Sequence, residues 1–211
     1  MDINMNKTYL IKLLNEMQKA MCENKDYLIQ LDSVVGDGDL GLTMSDGFVA
    51  AYQAAKKSDD QDVGKLLYQA GKAMSIAVPS TMGTLMASGW MQAGKELKGK
   101  TELTEFEIVE VFEAYEEGVI HRGKAKVGDK TFLDGLHPAV EKMKSVLANG
   151  GTLLKAAESA RKEAEKGFEN TTTMLAVHGR AATRGEASRK LEDPGAAVAV
   201  LMMKAFEKSL Y

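Results

Sequence analysis

Three aspartates lie close together early in the chain, within the segment LDSVVGDGDLG at residues 31–41. Asp32, Asp37 and Asp39 are interleaved with glycines, which let the backbone turn sharply and expose its N–H groups. Carboxylates held together repel one another, and a hard divalent cation such as Mg²⁺ removes that repulsion while sharing the oxygens of a bound phosphate. The segment therefore indicates a metal site of the kind that binds phosphates.

A calcium loop and a simple helix cap both compete with the phosphate-type metal site for this segment. An EF-hand calcium loop needs a glutamate at its twelfth position, and counting from Asp32 that position is Thr43, so the calcium loop fails. A turn rich in aspartate and glycine that only caps the following helix stays open as an alternative.

Four further segments carry polar groups of less specific type. Thr81 follows Pro79 and Ser80 at a predicted helix start, where hydroxyls and backbone amides suit a phosphate. Lys130, in Gly-Asp-Lys-Thr at 128–131, and Arg180, in Gly-Arg-Ala at 179–181, offer positive charge. Asp193-Pro194-Gly195 reads as a helix start. Ordinary helix capping accounts for the segments at 79–81, 128–131 and 193–195, and exposure to solvent at a helix end accounts for Arg180. The sequence contains neither a Walker-type GxxxxGK[ST] nor the motifs of a protein kinase.

Helices must position these segments, because the chain of 211 residues has only 3 prolines and 6% aromatic residues. The apolar periodicity and the capping residues predict helices over about 5–24, 42–57, 62–77, 84–97, 104–120, 132–147, 152–168, 172–180 and from 194 onward. We predict an all-α fold, a single domain over 1–211 built as a barrel or bundle of about eight antiparallel helices.

Composition excludes several functional classes. The formal net charge is −3, so there is no basic excess to bind nucleic acid. No apolar run is long enough to span a membrane, and the first residues do not resemble a signal peptide. With a single cysteine there is no internal disulfide, and these features together predict a cytoplasmic protein.

The joint order of these motifs is more specific than any one of them. GDGDxG preceded by Asp32, then RG…GDKTxLD, then GRA…GE…DPG, resembles the L subunit of dihydroxyacetone kinase over essentially the whole chain. The resemblance implies a nucleotide site at one end of the barrel, with two Mg²⁺ ions on Asp32, Asp37 and Asp39 bridging the phosphates of ADP or ATP. It places nucleotide contacts on Leu40, Gly41, Leu42, Thr43, Thr81, Met82, Gly123, Phe132, Arg180, Asp193, Pro194 and Gly195.

The resemblance also implies a reaction and its partners. An L subunit is part of a phosphotransferase with an alcohol group as acceptor, active in glycerol metabolism, and its phosphoryl group passes to a small ketose such as dihydroxyacetone on a separate K subunit. An M subunit of the phosphotransferase system rephosphorylates the bound ADP in one arrangement. The L region of an ATP-dependent ketose kinase and a non-catalytic nucleotide or metal regulator remain as alternatives, and a homodimer is left open.

This chain departs from the family pattern at several positions. Leu40 replaces a histidine or threonine, Thr43 replaces an asparagine, and Pro79–Leu85 replaces the usual GGxSGPL. The three histidines, His121, His137 and His178, are expected at the surface or at helix ends rather than as phosphate carriers.

Overall fold

The computed structural model describes residues 4–211, and helices dominate it. The longer helices are α1 (Lys7–Glu23), α2 (Lys25–Val35), α3 (Leu40–Lys57), α4 (Val63–Ala77), α5 (Thr81–Glu96), α6 (Glu105–Gly123), α7 (Phe132–Ala148) and α8 (Leu153–Asn170). After them come the single-turn α9 (Gly179–Ala182) and α10 (Pro194–Ser209). Two short strands, β1 (Met5–Asn6) and β2 (Glu102–Leu103), pair antiparallel.

Eight of these helices close a ring. Each packs against the next in the order α1, α3, α4, α5, α6, α7, α8, α10, and α10 returns to α1. The directions alternate: the start of α1 meets the end of α3, where Lys7 Nζ donates to the Ser58 carbonyl, and the end of α10, where the Tyr9 and Ser209 hydroxyls lie 3.1 Å apart. The predicted all-α barrel of about eight antiparallel helices is confirmed, and α2 packs against α3 and α10 as an additional element.

Buried apolar side chains fill the ring. The largest of them include Trp90 and Tyr115, whose rings meet edge to face at 4.8 Å, and Phe112 and Phe206, whose centroids lie 4.7 Å apart. Because Phe206 belongs to α10 and Phe112 to α6, this contact joins two helices that are not neighbours in the ring. This packing fixes the helix ends, and therefore the loops between them, relative to one another.

Local sequence determines where the helices start. Thr104 and Glu107 form a reciprocal capping box at the start of α6. Asp193 caps α10 through a bond from the Ala196 amide, and Pro194 occupies the first helical position.

The helix predictions were wrong in two places. No helix is predicted between residues 24 and 42, yet α2 covers Lys25–Val35 and includes Asp32 in its last turn. The short helix predicted over 172–180 is replaced by a 3-10 turn at Thr171–Thr173, extended chain and α9. Packing against α3 and α10 stabilises α2, which periodicity within its own sequence did not reveal.

Within residues 4–211, none of the helices combines the length and the apolar character needed to cross a bilayer.

Candidate functional site

The three aspartates converge at the junction of α2 and α3. Asp32 lies on the last turn of α2, and Asp37 and Asp39 lie in the loop that leads into α3. One carboxylate oxygen from each residue lies within 4.8 Å of the others. Asp32 Oδ2 also accepts a hydrogen bond of 3.3 Å from the Leu40 amide, which ties the end of α2 to the start of α3. The fold therefore brings together the oxygen ligands that the sequence predicted.

Two glycines of this loop are required by close approaches. A Cβ at Gly36 would lie 2.4 Å from Asp32 Oδ1, inside the space that this carboxylate occupies. A Cβ at Gly41 would lie 2.1 Å from the Lys25 carbonyl, where α3 crosses α2. The glycines thus keep Asp32 in the cluster and let the two helices approach each other.

The cluster carries more negative charge than the protein compensates. Partial burial, and then the charges of Asp37 and Asp32, raise the pKa of Asp39, and Arg180 opposes this rise. Arg180 Nη2 contacts Asp37 Oδ2 at 2.5 Å and is the cation closest to the cluster in the ion pairs of the described chain. Three ionised carboxylates and one guanidinium leave two negative charges, so a divalent cation with oxygen ligands fits this site in both charge and chemistry.

A cleft extends from the aspartates across the end of the barrel. Its first part, about 470 Å³, is lined by the aspartate segment and by residues from four other segments. Its second part, about 550 Å³, extends past Arg122 and Gly123 at the end of α6. The two parts share Ser80, Thr81, Leu85, Thr131, Phe132, His178 and Gly179, so they form one continuous cleft.

Helix N-termini open onto this cleft. Thr81, Phe132 and Pro194 are the first residues of α5, α7 and α10, and all three line the wall. Ser80 caps α5 by accepting from the Gly83 amide at 3.0 Å. Helix N-termini carry free amides and a partial positive charge, so the walls favour anionic groups.

Most of the residues predicted to bind nucleotide lie on the cleft. The first part is lined by Leu40, Thr81, Met82, Phe132, Arg180, Asp193, Pro194 and Gly195, and the second part by Gly123 together with Thr81 and Phe132. The structure does not bring Gly41, Leu42 and Thr43 to the wall: Gly41 and Thr43 are buried in the first turn of α3, and Leu42 is exposed.

Asp193 is a buried carboxyl at the inner wall. Burial raises its pKa to about 7, against the backbone bond from Ala196 and the charge of Lys130, which lower it. Its carboxylate accepts from the Ala196 amide at 2.7 Å, and its own amide donates to Thr171 Oγ1 at 3.1 Å. In this structure Asp193 positions the start of α10.

The expectation that Lys130 adds positive charge to a phosphate does not match its geometry. Lys130 is buried, and its Nζ donates to the carbonyls of Thr171, Leu191 and Arg189. Burial lowers the pKa of this ammonium, while the nearby carboxyl of Asp193 raises it. The ammonium of Lys130 therefore binds backbone carbonyls of residues 171–191 in this structure.

Sequence reasoning missed His178 as a residue of the cleft. Its ring lines both parts, and its Nε2 lies 2.9 Å from Asp129 Oδ2. Its position directly before Gly179-Arg180 was the available signal. The other two histidines lie elsewhere: His121 is exposed near the end of α6, and His137 pairs with Glu116 at 2.7 Å.

Comparison with known proteins gives consistent relationships. A family model described as the DAK2 domain matches residues 34–208. The ADP-binding subunit DhaL of the PEP-dependent dihydroxyacetone kinase of Escherichia coli (strain K12) is 31% identical over 202 residues, which cover 96% of each chain. The L-erythrulose 1-kinase of Mycolicibacterium smegmatis is 32% identical over 205 residues, which cover 95% of this chain and 35% of that enzyme.

A solved structure has the same fold. The dihydroxyacetone kinase from C. freundii, in complex with AMP-PNP and Mg²⁺, matches with a TM-score of 0.70 at 24% sequence identity. The match covers 95% of this chain and 34% of that one, so this chain corresponds to about one third of the larger protein.

Proposed function

Because the chain belongs to the DAK2-domain family, we propose that it is the nucleotide-binding L subunit of a dihydroxyacetone-type kinase, with residues 1–211 as one nucleotide-binding domain. One observation carries the proposal: the Escherichia coli ADP-binding subunit matches over 96% of both chains. The acidic cluster at one end of a continuous cleft supports it independently, because that arrangement suits a metal-bound polyphosphate.

In the proposed complex, Asp32, Asp37 and Asp39 hold two Mg²⁺ ions. Bound there, the ions would supply neutralisation of the phosphate oxygens of ADP or ATP, where charge develops during phosphoryl transfer. The three carboxylates fix the position of the metal-bound phosphates, and the Asp32 bond to the Leu40 amide holds that position relative to α3. The excess of negative charge makes nucleotide binding dependent on the metal.

The rest of the cleft orients the nucleotide. Thr81 and Met82 at the start of α5 and Arg180 lie on the wall near the aspartates, where they bind the phosphates. Gly123 and Phe132 lie along the second part of the cleft, where they contact the base. Leu40 and the segment Asp193-Pro194-Gly195 complete the wall, and Gly41, Leu42 and Thr43 form the first turn of α3 together with Leu40.

The proposed reaction requires no nucleophile on this chain. Phosphoryl transfer depends on positioning and charge neutralisation, and the acceptor is an alcohol group of a small ketose on a separate K-type subunit. We propose that the phosphate comes from the phosphotransferase system through an M-type subunit, because the Escherichia coli relative is named as a subunit of a PEP-dependent kinase.

A second candidate is the nucleotide-binding part of an ATP-dependent ketose kinase. It is supported by the match to the L-erythrulose 1-kinase of Mycolicibacterium smegmatis, a larger enzyme.

The test begins with the purified protein. Denaturation should release ADP, which chromatography then identifies, because the phosphotransferase-dependent arrangement keeps the nucleotide bound. Calorimetry on nucleotide-free protein should then detect ADP binding with Mg²⁺ and none with EDTA. Asp37→Ala should abolish that binding while the helical circular dichroism is unchanged. The proposal would be overturned if the nucleotide-free protein did not bind Mg-ADP. Rapid exchange of the bound nucleotide with free ATP would favour the second candidate.

A further inference from the structure

A long connection between α8 and α10 carries Arg180 to the cleft. We call residues 171–193 the arginine loop; it contains α9 and two 3-10 turns, and His178, Gly179, Arg180 and Ala181 line the first part of the cleft. A segment of this length with so little regular structure needs anchors outside itself to keep one conformation.

Lys130 anchors both ends of the arginine loop. Its Nζ donates to the Thr171 carbonyl at 2.5 Å at one end and to the Leu191 carbonyl at the other, and the Arg189 carbonyl lies at 3.4 Å. Lys130 itself has a left-handed backbone, with φ of 63°, and only 3% of its surface is exposed. An ammonium has three donors, and these three carbonyls account for all of them.

Asp129 anchors the middle of the same loop. Its carbonyl accepts from the Val177 amide at 3.2 Å, and its Oδ2 lies 2.9 Å from His178 Nε2. This carboxylate is itself held by the Lys126 amide at 2.9 Å. Arg180 follows two residues after His178, so the Asp129 contacts fix the chain immediately before the arginine.

Ser188 joins the two halves of the loop. Its hydroxyl accepts from the Ala176 amide at 3.1 Å and donates to the Gly185 carbonyl at 2.7 Å, and the side chain is fully buried. The loop is thus held together by its own hydrogen bonds, and Lys130 and Asp129 bind it to the α6–α7 connection.

We propose that Lys130 and Asp129 are positioning residues: they hold the arginine loop across the cleft and thereby determine how long a bound nucleotide is retained. Lys130 lies at the wall of the cleft but acts through the loop, because the donors of its ammonium are committed to the loop carbonyls. The role in retention depends on the proposed function, whereas the anchoring of the loop can be tested on protein without nucleotide.

The test uses Lys130→Met, which keeps the apolar stem and removes the three donors. The matched control is Lys7→Met, which removes an ammonium bonded to the Ser58 carbonyl at the opposite end of α3, ~27 Å away along an 18-residue helix. Trypsin has exposed sites within the loop at Arg180, Arg184, Arg189 and Lys190.

For Lys130→Met we expect cleavage within the loop to be about 10-fold faster than in the unmodified protein, because buried carbonyls without donors favour the open loop. The dissociation rate of Mg-ADP, followed with a fluorescent ADP, should rise about 10-fold while the association rate stays within about 2-fold. Lys7→Met should change none of these three rates.

Ser188→Ala provides a second variant should Lys130→Met fail to fold, since it removes only one hydroxyl and should raise loop cleavage and Mg-ADP release in the same direction. Unchanged cleavage and release in the folded variants would overturn the proposal. If the unmodified protein does not bind Mg-ADP, the proposed function fails, while the cleavage rates still decide whether Lys130 anchors the loop.

Discussion

Replacing Asp39 by asparagine should stabilise the metal-free protein and destroy the metal site. The substitution keeps the shape of the side chain and removes one of three clustered charges. Asp39 occupies the cap position of α3, but its side chain forms no capping hydrogen bond within residues 4–211, so no such bond is lost. The two effects have opposite signs because the charges that oppose folding are the ones that attract the cation.

The separation of the carboxylates sets the size of the expected gain in the free energy of unfolding. Two unit charges 4.8 Å apart repel by about 0.9 kcal/mol in water, so Asp39 meets about 2 kcal/mol of repulsion from Asp32 and Asp37 together. The lost attractions of an acidic group to the start of α3 and to Arg180 offset about half of this, since each contributes about 0.5 kcal/mol at an exposed site. The net gain is about 1 kcal/mol, or a rise of about 2–4 °C in Tm for a domain of this size.

Thermal and urea unfolding in EDTA at low ionic strength should detect this gain, because salt screens exposed charges. Asp46→Asn is the matched control: it makes the same change in charge on an exposed residue of α3 outside the cluster, and we expect no gain from it. In calorimetry, Asp39→Asn should weaken Mg-ADP binding at least about 100-fold. An Asp39→Asn protein less stable than the unmodified one in EDTA, or one with undiminished Mg-ADP affinity, would refute the electrostatic reasoning.

Three further predictions concern Gly36 and Asp193 on the cleft and Gly41 beside it. Gly36→Ala has an allowed backbone but places a Cβ 2.4 Å from Asp32 Oδ1. Calorimetry should therefore show an Mg-ADP affinity about 10-fold lower, while the Tm stays within a few degrees of that of the unmodified protein. An unchanged affinity would contradict this geometry. Gly41→Ala, whose Cβ would lie 2.1 Å from the Lys25 carbonyl, should lower the free energy of unfolding in urea by about 1–3 kcal/mol, and an unaffected unfolding midpoint would show that the helices can separate without cost. Burial raises the pKa of Asp193 from 3.8 to about 7, so the folded protein gains stability from protonating Asp193 as the pH falls from about 7 toward about 4, and loses this stability as the pH rises through 7. Urea unfolding of the unmodified protein and of Asp193→Asn across that range should show the gain only in the protein with the aspartate. Parallel pH profiles of the two proteins would exclude this contribution.

The sequence predicted the fold well where each helix carries its own start signal. Thr104 with Glu107, and Asp193 with Pro194, satisfy backbone amides locally, so their effect is visible without knowledge of the packing. The sequence prediction missed α2, which packs against α3 and α10. Such tertiary contacts leave no periodicity in a short segment.

The same distinction separates Asp32 from Lys130 in the candidate site. Carboxylates repel one another wherever the chain places them together, so a cluster within eight residues already predicts its chemistry. A lysine can serve a phosphate or a set of carbonyls equally well. Lys130 binds carbonyls here because residues 171–193 fold back over it, and that fold depends on contacts between residues far apart in sequence.

The alternation of helix direction accounts for how motifs so distant in sequence can form one cleft. In a ring of antiparallel helices, every second connection lies at the same end, and here those connections are 36–39, 78–80, 124–131 and 171–193. Each of the four contributes residues to the cleft, whereas the connections at 58–62, 97–104 and 149–152 contribute none to either of its parts. The spacing between motifs is therefore set by two helix lengths and one distant connection. A motif placed on one of the other connections would lie at the opposite end of the ring, away from the cleft. The order of the motifs along the chain therefore carries structural information that no single motif contains.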